Sequence, residues 1–138
     1  MRWGTLIFVA SIVAAVAFTI RWKAPSPEAH LRQGNLFARG GQFPAAIEEY
    51  TLALEVKPGY TEAYRKRAIA HMNLTEYRQA IADLDRVVRH DPGQAGAYYD
   101  RAISYHFLGE PERTCRDMAR ACRLGLKDGC TQLRLGGC

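Results

Sequence analysis

The sequence predicts an all-α protein: a helix–turn–helix repeat solenoid of three repeats with a short C-terminal cap helix, behind an N-terminal transmembrane helix. Three observations lead to this prediction. Residues 27–60, 61–94 and 95–128 align as three copies of a 34-residue period. Apolar residues recur three and four apart within each copy, which is the spacing of one helix face. An uncharged apolar run, Trp3–Ile20, precedes the repeats.

The apolar run is long enough to cross a bilayer. Its 18 residues would extend roughly 27 Å as a helix, close to the ~30 Å of the hydrocarbon layer. Trp3 and Trp22 flank it, where interfacial aromatic residues belong. We therefore expect residues 1–23 to form an uncleaved anchor, followed by a spacer at residues 24–27. The alternative is a signal peptide that is cleaved after Ala17.

Each copy should contain two helices, A and B, separated by a Gly or Thr turn. Helix B ends where Pro58 and Pro92 close the first two copies, because proline cannot continue a helix. The predicted segments are Glu28–Arg39 and a helix from Pro44 to before Lys57, then Thr61–Asn73 and Tyr77–His90, then Gly96–Leu108 and Glu112–Leu124. Residues 128–138 follow as cap and tail, with the cap helix at Asp128–Leu135.

Side-chain size alternates at fixed repeat positions, and this predicts close packing within each repeat. The small residues at position eight are Gly34, Ala68 and Ala102, and the large residues at position twenty-four are Tyr50, Leu84 and Met118. Small residues let two helices approach closely, and large residues fill the space beside them. A stacked array also exposes the apolar face of its last repeat, which is why a cap helix is expected.

The period and these positions resemble the tetratricopeptide repeat. The resemblance implies a protein-binding module whose A helices line a concave groove for a partner peptide. Members that clamp a C-terminal carboxylate carry basic residues at positions two and six of the third repeat, where this chain has Gly96 and Asp100. The groove residues implied by the resemblance are Leu31, Asn35, Arg39, Arg65, Ile69, Met72, Asn73, Tyr99, Ile103, His106 and Phe107.

The net charge argues against nucleic acid as a partner. Of the 19 Lys and Arg residues, three precede Ala24, and the remaining 16 face 14 acidic residues, a balance of +2. A domain this close to neutrality is not built to bind polyphosphate. We expect other proteins and the membrane as partners, with a homo-oligomer as an alternative. A run of Arg113, Arg116, Arg120 and Arg123 indicates a solvated helix face, softened by Glu112 and Asp117, or a surface for an anionic membrane or acidic partner.

Four cysteines lie in the last 24 residues. If the cap helix folds back antiparallel, Cys122 faces Cys130 and Cys115 faces Cys138 in one register, which predicts two nested disulfides. Buried thiols, a free Cys138 and a zinc site are the alternatives. Disulfides need an oxidising compartment, so the repeats are expected in the periplasm or elsewhere outside the cytoplasm.

The segment Ala121–Cys130 also resembles the Ala-Cys-x-Leu-Gly…Gly-Cys stretch of cysteine-rich Sel-type repeat proteins. In that family the two cysteines form a disulfide within a secreted helical hairpin. This resemblance implies the Cys122–Cys130 pair and is silent on Cys115 and Cys138.

Nothing in the sequence indicates catalysis. The glycines lie at helix ends or at position eight, and His71 stands at a packing position. The acidic pairs Glu48-Glu49 and Asp83/Asp85 are interpreted as solvated helix faces. We predict a protein without a cofactor or metal and without enzymatic activity. The competing hypotheses are a cysteine-based redox or metal-binding protein and a scaffold that faces the cytosol.

Overall fold

The computed structural model describes residues 25–135, and these residues form seven α-helices. Each helix packs against the next one in the chain, and the A helices of consecutive repeats touch more weakly. This pattern is that of three stacked helical pairs and a final single helix. The helices are α1 (Pro27–Arg39), α2 (Phe43–Val56), α3 (Thr61–Asn73), α4 (Tyr77–His90), α5 (Ala95–Phe107), α6 (Pro111–Arg123) and α7 (Lys127–Leu135).

The helix boundaries follow the predicted ones closely. Helices α3 and α4 begin and end at the predicted residues, and five others begin one residue earlier than expected. In α6 the first helical residue is Pro111, one residue before the predicted start at Glu112. Proline suits this place because the first turn of a helix lacks a partner for its N–H groups.

The anchor predicted at Trp3–Ile20 and the residue Cys138 lie outside the described residues. Within residues 25–135, no helix is long and apolar enough to cross a membrane.

Close packing inside the first repeat is confirmed. A Cβ atom added to Gly34 would lie 2.5 Å from Cε1 of Tyr50. The Tyr50 hydroxyl donates a hydrogen bond of 2.9 Å to Oδ1 of Asn35, so the ring is fixed at both ends. Ala68 and Ala102 occupy the same position in the other repeats and are fully buried. The small residue at position eight is therefore what lets helix B approach helix A.

The turn between the two helices of each repeat needs a residue in the left-handed region. Gly41, Thr75 and Gly109 occupy equivalent positions with φ values of 72°, 60° and 73°. Thr75 is the only residue other than glycine with positive φ among the described ones. Side chains with a Cβ atom pay a steric cost in this region, so the second turn is strained relative to the other two.

The interpretation of Asp83 as solvated is wrong, whereas the side chain of Asp85 remains 42% exposed. Asp83 is 5% exposed, and both of its carboxylate oxygens accept hydrogen bonds from Arg67, at 2.8 and 2.7 Å. Asp85 accepts a 2.7 Å hydrogen bond from Arg101. The sequence did not reveal these contacts because the two partners are 16 residues apart, on different helices.

The prediction that Asp117 offsets the charge of the arginine run on α6 is also wrong. It is 4% exposed, and Arg101 donates to both of its oxygens, at 2.7 and 2.9 Å. The hydrogen bonds to Asp117 are the main reason that the pKa of Arg101 is raised. Asp117 therefore does not neutralise the outer face of α6.

Candidate functional site

Two cavities each contain four of the residues that the sequence assigned to the groove. One lies between the first two repeats, and the other lies at the C-terminal end among α5, α6 and α7. Each has a volume of about 330 Å³. Between them they contain eight of the eleven residues that the sequence assigned to the groove.

The first cavity is polar and basic. Of the predicted residues, Asn35, Arg39, Ile69 and Asn73 line it. Lys66 also lines it and was not predicted, although its exposed place on α3 follows from the helix period. No carboxylate is among the lining residues of this cavity. Two cations beside two amide side chains form a surface that suits an anionic group.

The second cavity is apolar and aromatic. The predicted residues Tyr99, Ile103, His106 and Phe107 all line it. The residues that α6 and α7 contribute to the wall were not predicted from the sequence. These additional residues are Pro111, Thr114, Cys115, Met118 and Gln132. A cavity with this lining suits a bulky apolar side chain.

Phe107 is held in place by a second aromatic ring. Its side chain is stacked on Tyr77 of the preceding repeat, with ring centroids 4.8 Å apart and planes 8° from parallel, and His106 meets it edge-on. Phe107 nevertheless remains 61% exposed. An exposed aromatic ring fixed by stacking loses little conformational entropy when a partner covers it, which is the property of a binding anchor.

An ion pair joins the A helices of the second and third repeats. Nε of Arg65 lies 2.9 Å from Oδ2 of Asp100, joining α3 to α5. Gly96 makes room for this arginine, because a Cβ atom there would lie 2.7 Å from Nη2 of Arg65. Burial raises the pKa of Asp100 above its ordinary value, and the nearby Arg65 opposes that rise. The guanidinium of Arg65 is therefore occupied inside the molecule.

Two of the other predicted groove residues serve the core. Leu31 is 6% exposed and belongs to the apolar cluster of the first two repeats, so assigning it to the groove surface is wrong. Met72 is half-buried against the apolar cluster of the second repeat and lines neither cavity. Both residues stand at groove positions of the repeat, but their apolar side chains turn toward neighbouring helices.

One cysteine, Cys115, lines the apolar cavity. Cys122 of α6 and Cys130 of α7 form a disulfide with their Cα atoms 4.7 Å apart. Cys115 is also disulfide-bonded, and Cys138, its predicted partner, lies outside the described residues. No group of three His, Cys, Asp or Glu side chains is placed to hold a metal ion in the part of the chain that the structure describes.

Two histidines are engaged with carboxylates. Nδ1 of His30 lies 2.7 Å from Oε2 of Glu49, and Nδ1 of His71 lies 2.6 Å from Oε2 of Glu76. The first pair links α1 to α2 within the first repeat. The second links the end of α3 to the turn before α4. Both contacts are therefore structural links between neighbouring segments.

The chain matches a known family over most of its length. The tetratricopeptide repeat family profile matches residues 13–61 and 65–113. Protein SGT1 homolog of Oryza sativa subsp. japonica is 41% identical over 49 residues, covering 36% of this chain and 13% of that protein. Small glutamine-rich tetratricopeptide repeat-containing protein 2 of Saccharomyces cerevisiae is 37% identical over 59 residues, covering 43% and 17%. The matched part thus spans less than a fifth of either relative.

Solved structures share the same fold. The first TPR of Spaghetti (RPAP3), bound to an HSP90 peptide, superposes with a TM-score of 0.76 at 22% identity, over 79% of this chain and 88% of that one. The Arabidopsis OM64 TPR domain superposes with a TM-score of 0.74 at 24% identity, over 80% and 96%. At these identities the similarity describes the fold alone.

Proposed function

Because this chain belongs to the tetratricopeptide repeat family, we propose that it is a protein-binding module that holds a partner peptide in its concave groove. The observation that carries this proposal is the exposed, stacked Phe107 at the mouth of an apolar cavity. Binding alone accounts for this arrangement, so the module acts without catalysis and without a cofactor.

The two cavities define the peptide that the groove would accept. The apolar cavity takes a bulky aliphatic or aromatic side chain, and the basic cavity takes a carboxylate. The partner is therefore a segment with an apolar anchor and an acidic residue, separated by enough chain to reach from one cavity to the other. The groove fixes the direction of the peptide, since the two ends differ in chemistry.

We do not propose as ligand the kind of peptide whose C-terminal carboxylate some family members clamp. The first TPR of Spaghetti is bound to the HSP90 peptide SRMEEVD, which is rich in acidic residues. In this chain the third repeat has Gly96 and Asp100 where clamping members have basic residues, and Asp100 is itself an acid that holds Arg65. A peptide with two or more acids at the third-repeat end would meet this carboxylate instead of a cation.

A selection from a random peptide library tests the proposal. The full chain in mild non-ionic detergent is the bait, and the selected peptides are measured by isothermal titration. We expect sequences with one bulky apolar residue and one acid. The double variant Tyr99→Ala with Phe107→Ala should weaken binding by about a hundredfold, as expected for two anchor residues, with helicity by circular dichroism unchanged.

A matched control separates the anchor from general surface effects. Leu52 and Val56 are exposed apolar side chains on α2 that line neither groove cavity. Their replacement by Ala should leave peptide affinity unchanged. Equal losses in both double variants, or peptide selection that shows no preference for an apolar residue, would contradict the groove as the binding site.

We also propose that the module is tethered by Trp3–Ile20 and that its repeats lie outside the cytoplasm. The Cys122–Cys130 disulfide supports this placement, because disulfides persist in oxidising compartments. The resemblance of Ala121–Cys130 to secreted Sel-type repeats is consistent with it. A reporter that is active on only one side of the membrane, fused to the C-terminus, tests the orientation. Activity on the cytoplasmic side alone would contradict it.

A further inference from the structure

The apolar cavity has walls from three helices, and one of them is the cap helix α7. Helix α5 supplies Tyr99 and Phe107, α6 supplies Met118, and α7 supplies Gln132. The position of α7 therefore decides the shape of the cavity in which the apolar anchor of a peptide would sit.

Packing alone holds α7 only weakly. It has nine residues, and an isolated helix of this length is marginal in water. Gly129 is its one buried residue, and Leu135 is 77% exposed. By comparison, α5 buries four residues. A helix with so little buried surface needs another restraint to stay docked.

That restraint is the disulfide between Cys122 and Cys130. The two helices approach closely there, since a Cβ atom added to Gly129 would lie 3.1 Å from Cβ of Ala121. Both cysteines are only partly buried. This partial exposure is consistent with attack by a thiolate from solution while the repeats stay folded.

We propose that the Cys122–Cys130 disulfide is a thiol-sensitive latch that keeps the apolar end of the groove formed. The proposal rests on the groove function described above. A dithiol reductant, either a small molecule or a thioredoxin-type protein, attacks one sulfur and forms a mixed disulfide. The second thiol of the reductant then attacks this mixed disulfide and releases the protein. The reductant becomes a disulfide, and Cys122 and Cys130, having received its two electrons and two protons, become thiols.

Opening the latch affects one end of the molecule. Without the covalent link α7 undocks, the wall at Gln132 is lost, and the apolar anchor of a bound peptide gains access to water. The first two repeats keep their own apolar clusters, which contain no residue of α6 or α7. Reduction therefore releases the partner while the basic end of the groove stays folded.

Hydrogen exchange measured by mass spectrometry tests the latch on the full chain in mild detergent. Three samples are compared: oxidised wild type, wild type treated with dithiothreitol, and the double variant Cys122→Ser with Cys130→Ser. We expect amides of α7 to exchange at least about tenfold faster in the last two samples, with α1 to α4 unchanged. Unchanged protection of α7, or equal loss in every helix, would overturn the proposal.

Reductant applied to the double variant identifies the bond that matters. We expect no further change in α7, because the latch is already absent. A further large increase in exchange would assign the restraint to the disulfide of Cys115 and overturn the assignment to Cys122–Cys130.

Peptide binding then tests regulation. A peptide selected on the oxidised chain should bind the double variant about tenfold more weakly, a loss typical of an anchor site that has lost one of its walls. Equal affinity with α7 released would overturn regulation of the groove. If the library yields no peptide, the proposed function fails and its regulation with it, whereas hydrogen exchange still decides how α7 is held.

Discussion

The first repeat and the two that follow it solve the same packing problem with different polar groups. In the second and third repeats an arginine of helix A, Arg67 or Arg101, grips a buried aspartate of helix B with two hydrogen bonds. In the first repeat, Gln33 stands at the arginine position, and helix A is joined to helix B by His30 and Glu49 instead.

The difference lies in how far each group reaches. Arg67 also donates to Oγ1 of Thr51, and Arg101 to Asp85, and both of these acceptors belong to the preceding repeat. The histidine of the first repeat contacts only its own helix pair. A planar guanidinium with five donors can connect three helices, whereas an imidazole connects two. The arginines thus tie each repeat to the one before it.

An arginine of helix B, Arg86 or Arg120, extends the same arrangement in the second and third repeats. Arg67 and Arg86 lie on the ring of Tyr64, at 5.6 and 5.5 Å from its centroid. Arg101 and Arg120 lie on Tyr98 in the same way, at 5.5 and 5.7 Å. In each of these two repeats, one arginine of helix A and one of helix B therefore contact the same aromatic ring. The second and third repeats are therefore near copies in their polar contacts as well as in their period.

Removing the helix A arginine of the third repeat should have the largest effect on stability. Arg101→Ala leaves Asp117 buried without its partner, and the loss of one member of a buried pair costs about 3–5 kcal/mol. Urea unfolding of the full chain, followed by circular dichroism, measures the change. Arg116→Ala, at an exposed position of α6, is the control and should change stability by less than about 0.5 kcal/mol.

The first repeat should tolerate the matching change better. His30→Ala leaves Glu49, whose side chain is 23% exposed, in reach of water, so we expect a loss of about 1 kcal/mol, as for a typical hydrogen bond. If His30→Ala costs as much as Arg101→Ala, the contrast between the repeats is wrong.

A change at repeat position eight should rank second. Gly34→Ala gives the first repeat the residue that the second and third repeats have, but its Cβ atom would collide with the Tyr50 ring. Overpacking of this kind costs about 1–3 kcal/mol. Gly40→Ala is the control, since a Cβ atom there meets nothing closer than 3.4 Å. Stabilisation by Gly34→Ala would show that Tyr50 moves freely, contrary to its hydrogen bond with Asn35.

The smallest predicted effect concerns the turns. Thr75→Gly gives the second repeat the glycine of the other two and removes the cost of a Cβ atom at φ 60°. After the greater flexibility of glycine in the unfolded chain is subtracted, we expect a gain of about 0.5–1 kcal/mol. Thr75→Asn should give part of that gain, because asparagine tolerates this region. A loss of stability in both variants would mean that the Thr75 side chain makes a contact that outweighs the strain.

The sequence predicted local features well. Helix limits at Thr61–Asn73 and Tyr77–His90 follow from proline stops and apolar spacing, which act within a few residues. The aromatic end of the groove at Tyr99, Ile103 and Phe107 follows from the repeat position of each residue. Such features depend on the chain's own neighbourhood and repeat with the period.

Contacts between helices were harder to predict. Asp83 and Asp117 have the polarity of surface residues. Their burial is possible because Arg67 and Arg101 of helix A pair with them and offset the cost of desolvation. Leu31 stands at a groove position, yet it fills space between α1 and its neighbours. In each case the partner lies on another helix, so the spacing within one helix carries no sign of it.

By itself, the sequence determined the repeat, the number of helices in residues 25–135 and the small residue that brings each pair together, and it predicted the pairing of Cys122 with Cys130 while buried thiols and a zinc site stayed open. The tertiary structure alone decided that Arg65 is paired with Asp100 of the next repeat, and that α7 contributes to the wall of the apolar cavity. The physical reason is that helix formation is governed by residues three and four apart. A cavity is enclosed by side chains from helices whose relative position is set only when the whole array packs.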